Sequence, residues 1–279
     1  MTGGPEKHER LAERQDPGGE PAEQPIVSML PSTPGRKVST KKLVFTPIVI
    51  ALALVGTYLW ITNIPLDSIE RNSLSGGAVR QALWQQIKLV VYSTFFVLVI
   101  AIPLGIALTR RPLRKAAPVA TAIANLGQSI PSIGLLALLT FWLGIGPGTA
   151  LVGMVAYAVL PVLSNTMVGL RAIDPSLVDA ARGIGMSGWG VLRKVELPLA
   201  VPLILAGVRN ALVLNVGTGT LAGFVSGGGL GTIITNGIVT QRTRVLIVGS
   251  VLAVALALLV DWLASLAELQ MTPHGLEAG

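Results

Sequence analysis

Two opposite charges stand inside otherwise hydrophobic stretches of the sequence, and they are the first candidates for chemistry. Arg209 and Asp261 each lie at a similar depth from the same end of a hydrophobic stretch. Because a charged side chain in a lipid bilayer is costly, we expect them either to form an ion pair that joins two helices or to extend separately to the headgroups. A role for Arg209 in binding substrate is a further alternative, since its cation repels a cationic solute but attracts a carboxylate.

Several kinds of catalytic and metal chemistry have no residues to support them. The sequence contains no cysteine, which excludes disulfides, thiol nucleophiles and cysteine-ligated metals. The two histidines, His8 and His274, lie near the ends of the sequence, outside every hydrophobic stretch. The sequence also lacks the Gly-x-x-x-x-Gly-Lys-Ser/Thr loop that cradles ATP phosphates. We therefore predict no enzyme activity, no metal site and no cofactor for this chain.

Polar side chains within the hydrophobic stretches form a second group of candidates. Such groups find no hydrogen-bond partner in lipid, so they face the protein interior or an aqueous cavity. They could line a solute pathway, or they could form hydrogen bonds between helices, worth about 1 kcal/mol each or less. The candidate pathway residues are Asn125, Gln128, Ser129, Ser164, Asn165, Asn210, Asn215 and Thr218.

The composition requires a membrane-spanning protein. Of the 279 residues, 51% are hydrophobic and 13% are charged, against about 25% charged in a typical soluble domain. Residues 116–170 contain no charged residue or histidine, and neither do residues 89–109 or 210–241. A helical crossing needs about 20 such residues. The net charge of +7 is typical of basic loops at one membrane face, and we do not expect nucleic-acid binding.

The predicted fold is an all-α, polytopic membrane helix bundle with about six transmembrane helices. The hydrophobic segments cover about 43–62, 86–109, 118–143, 149–170, 199–222 and 245–267. We divide the chain into four parts. Residues 1–42 are a disordered cytoplasmic tail with a basic run, and 43–83 are a first crossing with its external loop. Residues 84–267 are the transmembrane domain, and 268–279 are a short cytoplasmic tail.

Lysine and arginine residues are distributed unequally between alternate loops. One side holds twelve of them, before the first segment, after the second and between the fourth and fifth. The other side holds four, or five with Lys88. Because cytoplasmic loops carry the excess of positive charge, the sequence predicts a multi-pass protein of the bacterial cytoplasmic membrane with both termini in the cytoplasm.

The longest predicted cytoplasmic loop, 171–198, contains signals for two short helices. Asp174, followed by proline, is a favourable helix start, and Gly185 can adopt the left-handed conformation that ends a helix. We therefore expect one helix over about 175–184 and a second over about 188–195, which stops at the proline that closes the loop. Two small helices across the end of a helix bundle offer a docking surface, and an ordinary amphipathic connector is the alternative.

The same loop resembles the loop signature of ABC importer permeases. That signature has an acidic residue, two alanines, a glycine after three residues, an aliphatic residue after nine more, and Leu-Pro one residue later. This chain keeps every spacing, with Asp in place of the usual Glu, at Asp179, Ala180, Ala181, Gly185, Val195, Leu197 and Pro198. The resemblance implies the type I ABC importer fold and a coupling loop that sits in a groove on a separate ATP-hydrolysing subunit.

Further stretches resemble the osmoprotectant branch of these permeases, which serve importers of glycine betaine, carnitine and choline. They are 127–132, 160–166, 195–202 and 216–231. The glycine-rich end 227–231 is also similar to methionine-type permeases, so a permease for methionine or another amino acid stays open. From another class, an ion-coupled secondary transporter or channel stays open too. The resemblance implies an ATP-binding subunit, an extracytoplasmic substrate-binding protein and a second permease copy or paralogue as partners.

Overall fold

Helices form every regular element of residues 40–271, the part of the chain that the computed structural model describes. Residues 1–39 and 272–279 lie outside the described residues, and with them most of both predicted tails and the two histidines. The helices are α1 Thr40–Thr62, α2 Ser68–Ser73, α3 Gly76–Thr109, α4 Ala117–Ser129, α5 Ser132–Leu143, α6 Pro147–Arg171, α7 Pro175–Gly183, α8 Gly188–Val191, α9 Leu197–Leu221, α10 Leu230–Val239 and α11 Thr243–Met271.

Within the described residues, five helices are long and apolar enough to cross a membrane. They are α1, α3, α6, α9 with the helical segments that flank it, and α11. The predicted crossing over 118–143 is not one continuous helix, because α4 and α5 meet at an angle of 98°. When this bent pair is counted as one broken span, the number of crossings is the predicted six.

Pro131 explains the break between α4 and α5. Proline forces the residue before it out of the helical region, and Ile130 accordingly has an extended ψ of 129°. The bend is held by α6, since the Tyr157 hydroxyl lies 3.2 Å from the carbonyl oxygens of both Gln128 and Ile130. In return, Gln128 Nε2 donates to the Tyr157 carbonyl at 3.0 Å. Two side chains thus tie the bent pair to the helix that follows it.

Close glycine contacts hold α3, α6 and α9 together. A Cβ on Gly105 of α3 would lie 2.8 Å from the Thr166 methyl carbon of α6, and a Cβ on Gly207 of α9 would lie 2.8 Å from the Asn165 Cβ. Small residues at such points allow helix backbones to approach closely. The contacts show that α3 and α6 run in the same direction and α9 in the opposite one, so α9 begins where α3 and α6 end.

One short helix, α10, is absent from the sequence-based expectations. The predicted fifth crossing ends near residue 222 and the sixth begins near residue 245, and no helix is predicted between them. Gly228 and Gly229 have φ values of 89° and 77°, which only glycine adopts easily, and they let the chain reverse. α10 then packs so closely on the end of α9 that a Cβ on Gly231 would lie 2.8 Å from the Gly223 nitrogen. These glycines therefore serve chain reversal and helix packing.

The two ends of the helix bundle differ in charge. We call the end where α3 and α6 finish and α9 begins the basic end. It carries Arg110, Arg111, Arg114, Lys115, Arg171, Arg182, Arg193 and Lys194. The opposite end, which we call the far end, carries α2 and the turn between α10 and α11.

Two ion pairs fix the far end. Asp67 caps α2 by accepting the Glu70 amide hydrogen at 2.7 Å, and its carboxylate lies 2.6 Å from Arg242 Nε. The hydrogen bond from Glu70, followed by the charge of Arg242, lowers the pKa of Asp67 below its ordinary value. Glu70 is buried and pairs with Arg244 at 3.0 Å. The start of α11 and the residue before it are therefore tied to α2 and its cap at two points.

Candidate functional site

The loop between α6 and α9 begins with a capped helix, as Asp174 and the proline after it predict. Asp174 Oδ1 accepts the Ser176 amide hydrogen at 2.8 Å, and this hydrogen bond lowers the pKa of the carboxyl below its ordinary value. α7 follows over Pro175–Gly183, one residue shorter than expected. Gly185 has a φ of +87°, and no atom lies within 4 Å of the position that a Cβ would take. This glycine is therefore needed for its backbone conformation and not for space.

The second loop helix does not stop at Pro198, and here the prediction is wrong. α8 continues through a π-helical segment, Leu192–Glu196, directly into α9. In that segment the Leu197 amide donates to the Leu192 carbonyl, five residues back. The wider turn accommodates Pro198, which lies in the first turn of α9 and has no amide hydrogen to donate. The loop is thus joined to the membrane helix by unbroken helical structure.

The seven residues of the loop signature differ in exposure. Asp179, Ala180, Gly185 and Pro198 are exposed, Val195 and Leu197 are half-buried, and Ala181 is buried. The Asp179 side chain is 75% exposed and lies 3.7 Å from Arg182 Nη1, so its carboxylate stays accessible to a partner. Ala181 is buried, so this side of α7 packs against the rest of the protein.

Large apolar side chains are exposed beside the signature. Leu177 of α7 is 50% exposed, Ile184 after α7 is 77% exposed, and Trp189 of α8 is 70% exposed. We call these three side chains the loop face. The Ser187 hydroxyl caps α8 by accepting the Gly190 amide hydrogen at 3.2 Å, which fixes the helix that carries the tryptophan. Exposed aromatic and aliphatic residues around an acid are typical of a protein-docking surface.

An ion pair that the sequence did not indicate joins the loop to α3. Arg110 follows the last residue of α3, and its Nη1 donates to Glu196 Oε1 at 3.1 Å while its Nη2 donates to Glu196 Oε2. The Glu196 side chain is 9% exposed and that of Arg110 is 35% exposed. The acid lies inside the loop signature, between Val195 and Leu197. Its position directly before Leu-Pro, among basic residues, is the signal that could have identified it.

The structure brings Arg209 and Asp261 together. Arg209 Nε donates to Asp261 Oδ1 at 2.6 Å and Nη2 donates to Oδ2 at 2.9 Å, a bidentate pair that joins α9 to α11. Arg209 Nη1 also lies 3.5 Å from Glu268 Oε2. This arrangement matches the ion-pair alternative. Within residues 40–271, no three histidine, cysteine or acidic side chains come together to hold a metal ion.

Two of the candidate pathway residues lie between packed helices. Asn215 is fully buried, and its Nδ2 donates to Thr94 Oγ1 of α3 at 3.1 Å. Thr218, one turn further along α9, is 5% exposed. The contacts of Asn215 are those of an interhelical hydrogen bond, and neither side chain faces open space in this conformation.

The other six pathway candidates are more accessible. Asn125, Ser129 and Asn210 are exposed, and Gln128, Ser164 and Asn165 are half-buried. Three of them hydrogen-bond to backbone carbonyls: Ser129 Oγ to Asn125 at 3.0 Å, Asn165 Nδ2 to Pro161 at 2.8 Å, and Gln128 to Tyr157 as described. Asn215 and Thr218 are thus buried between helices, whereas the other six candidates remain at least partly accessible.

A glutamine pair in α3 holds the start of α10, and sequence reasoning missed it. Gln86 is fully buried; its Oε1 accepts the Leu230 amide hydrogen and its Nε2 donates to the Val216 carbonyl, both at 3.1 Å. Gln85 Oε1 accepts the Gly229 amide hydrogen at 3.1 Å. Two adjacent amides inside a hydrophobic segment were the available signal. They satisfy the first amides of a helix that lacks a side-chain cap.

The chain matches known proteins over most of its helical part. A family model described as binding-protein-dependent transport system inner membrane component matches residues 101–272. The chain is 36% identical over 203 residues to the glycine betaine/carnitine/choline transport system permease protein OpuCB of Bacillus subtilis, covering 73% of this chain and 93% of that protein. It is 36% identical over 216 residues to the osmoprotectant import permease protein OsmW of Salmonella typhimurium, covering 76% of this chain and all of that protein.

Solved structures share the arrangement of helices. The MetNI methionine ABC transporter in an inward-facing conformation aligns with a TM-score of 0.63 at 27% identity, covering 70% of this chain and 96% of that chain. An amino acid ABC transporter with histidines aligns with a TM-score of 0.59 at 17% identity, covering 74% of this chain and 100% of that chain. The second alignment concerns the fold alone.

Proposed function

The chain belongs to the family of binding-protein-dependent transport system inner membrane components, and we propose that it carries osmoprotectants such as glycine betaine, carnitine and choline. The predicted resemblance to ABC importer permeases and the all-α fold of a polytopic membrane protein are confirmed. The observation that carries the cargo class is the agreement among relatives at about one third identity, which are named for osmoprotectants. The methionine transporter structure is less similar, at 27% identity.

The loop between α6 and α9 is the docking site for the ATP-binding subunit in this proposal. Its support is the loop face, which exposes Leu177, Ile184 and Trp189 at the end of a membrane bundle, beside the accessible Asp179 carboxylate. A soluble partner that covered these apolar side chains would remove them from water, which favours binding. ATP is hydrolysed by that partner, and this chain contributes no catalytic residue.

A separate substrate-binding protein selects the cargo in this scheme. The family description itself refers to a binding protein. Quaternary amines are held by aromatic cages through cation–π attraction, and this chain has aromatic residues at only 5% of its positions. We therefore assign selection to the binding protein and passage to this chain.

The pathway forms between two permease copies, or between this chain and a paralogue. Asn125, Ser129 and Asn210 are exposed although they lie on apolar helices, and lipid offers such groups no partner. Gly127 and Gly134 also have open space at their Cβ positions, which leaves room for a neighbour to approach α4 and α5 closely. A second permease chain on this side would give the exposed polar groups an aqueous cavity to face.

The basic end lies in the cytoplasm in this proposal, together with both termini. The support is the excess of lysine and arginine at that end, which membrane insertion places on the cytoplasmic side. This orientation brings the loop face to the compartment that holds ATP. The protein is accordingly a multi-pass component of the bacterial inner membrane.

Uptake of labelled glycine betaine by proteoliposomes tests the proposal. The vesicles contain this chain with the ATP-binding subunit and binding protein encoded beside it, with and without internal ATP. We expect accumulation that requires ATP and the binding protein. If ATPase activity is stimulated only when the binding protein carries methionine, the cargo is methionine and not an osmoprotectant. Uptake by this chain alone, stopped by ionophores, would support the ion-coupled transporter or channel and overturn the proposal.

Two loop variants test the docking role separately from the cargo. Gly185→Val forces a β-branched residue into a φ of +87°, and Asp179→Asn removes the accessible charge. We expect each to lower ATP-dependent uptake while the protein still reaches the membrane. Gly183→Ala is the matched control, because Gly183 has no atom within 4 Å of a Cβ and no positive φ. Normal uptake by both loop variants would contradict the assignment of the loop.

A further inference from the structure

We infer that the Arg110–Glu196 ion pair links the coupling loop to α3, so that Glu196 is a positioning residue for transport. The inference rests on the proposed docking of the loop on an ATP-binding subunit. The loop already continues into α9 through the π-helical segment. The ion pair adds a second connection, from the same segment to the end of a different membrane helix.

The geometry of the pair makes the connection stiff. Both Arg110 terminal nitrogens donate to the two Glu196 oxygens, and a bidentate pair fixes orientation as well as distance. Arg110 directly follows α3, and its amide donates to the Ala107 carbonyl at 3.1 Å. Its own carbonyl accepts the Leu113 and Arg114 amide hydrogens at 3.1 and 2.9 Å. A movement of the loop must therefore shift the end of α3 or break the pair.

Breaking the pair is unfavourable because the Glu196 side chain is only 9% exposed. A buried carboxylate without its partner has lost its hydration and gains nothing in return. The pair therefore stays formed while the loop moves, and α3 follows. Gly105 of α3, five residues before Arg110, packs directly on Thr166 of α6. The displacement thus reaches α6 beside Asn165, one of the candidate pathway residues.

The test compares uptake with ATP hydrolysis in the reconstituted importer. Glu196→Gln keeps the size of the side chain and removes its charge, so the bidentate ionic contact is lost. We expect the variant to co-purify with the ATP-binding subunit and to hydrolyse ATP, while the amount of glycine betaine imported per ATP falls about tenfold, within the usual range of coupling between sites. Arg111→Gln is the matched control, because Arg111 is an exposed neighbour that forms no ion pair among the described residues. We expect it to transport normally.

Exchanging the two charges distinguishes a positioning role of Glu196 from a role in protein stability alone. The double variant Arg110→Glu/Glu196→Arg restores an ion pair of opposite direction, and we expect it to recover import per ATP relative to either single exchange. A loss of folded protein with an unchanged ratio of import to hydrolysis would overturn the inference, since a structural role lowers both together. Normal import per ATP in Glu196→Gln would overturn it as well. If the unsubstituted protein shows no ATP-dependent import, it is the proposed function that fails.

Discussion

Replacing Gly207 by alanine tests whether backbone contact between α6 and α9 holds the bundle together. A Cβ on Gly207 would lie 2.8 Å from the Asn165 Cβ, 2.9 Å from the Pro161 carbonyl oxygen and 3.2 Å from the Val162 Cα. Two of these three atoms belong to the backbone of α6 and cannot rotate away. The helices must therefore separate by about half an ångström at their closest approach, where contact distances below about 3.5 Å are unfavourable.

The expected loss follows from two opposing effects. Overpacking in a close contact costs about 3 kcal/mol at the upper end of its usual range, because backbone atoms cannot yield. The higher helix propensity of alanine relative to glycine stabilises the folded protein by about 1 kcal/mol. The net loss of about 2 kcal/mol corresponds to a thermal midpoint lower by roughly 4 to 8 °C for a chain of this size.

The matched control is Gly56→Ala in α1, where no atom lies within 4 Å of a Cβ. This variant keeps the helix-propensity gain and lacks the packing cost, so we expect its midpoint to equal or exceed that of the unsubstituted protein. The assay is thermal unfolding in detergent followed by the fluorescence of the five tryptophans, at one heating rate for all variants. Equal midpoints for the two variants would refute close packing between α6 and α9.

Three further variants test the polar contacts. Asp261→Asn leaves the Arg209 cation without its bidentate partner, and we expect a loss of about 1 to 2 kcal/mol that Arg209→Gln in the same chain partly reverses, measured as midpoints in detergent. Gln86→Leu leaves the first amide of α10 without its acceptor at a cost of about 1 to 3 kcal/mol, whereas the exposed Gln81→Leu changes nothing measurable. The cap of α7 is complete above the ordinary carboxyl pKa and is lost as the pH falls through the lowered pKa of Asp174. Cleavage of the loop by pepsin should therefore accelerate below about pH 4, and it should not do so in Asp174→Asn.

Elements with local signals were predictable from the sequence. Asp174 and the proline after it mark the start of α7, because capping depends on residues within one turn. The crossings follow from the length of charge-free stretches. The Arg209–Asp261 contact was one of three alternatives because so few charges lie inside those stretches. Because few other charged residues lie in the crossings, this pairing could be proposed without knowing how the helices pack.

Contacts between distant segments were not predictable in the same way. Glu196 meets Arg110 across 86 positions of sequence, and several other arginines of the basic end were equally possible partners. The continuation of α8 into α9 past Pro198 depends on a π-helical turn, for which the sequence has no simple signal. α10 was missed because the amide hydrogens at its start are accepted by glutamines of α3, far away in the sequence. Such features depend on tertiary packing.

The unbroken helical run from α8 through α9 has a consequence for where a partner can bind. The run covers Gly188–Val225, 38 residues, which at about 1.5 Å per residue extends about 57 Å. A bilayer measures about 40 to 45 Å including its headgroups. With Val225 near the far headgroups, the first 10 Å or more of the run, including Trp189, stand clear of the lipid. A soluble subunit can then reach the loop without displacing a single lipid, and binding and release need not disturb the membrane.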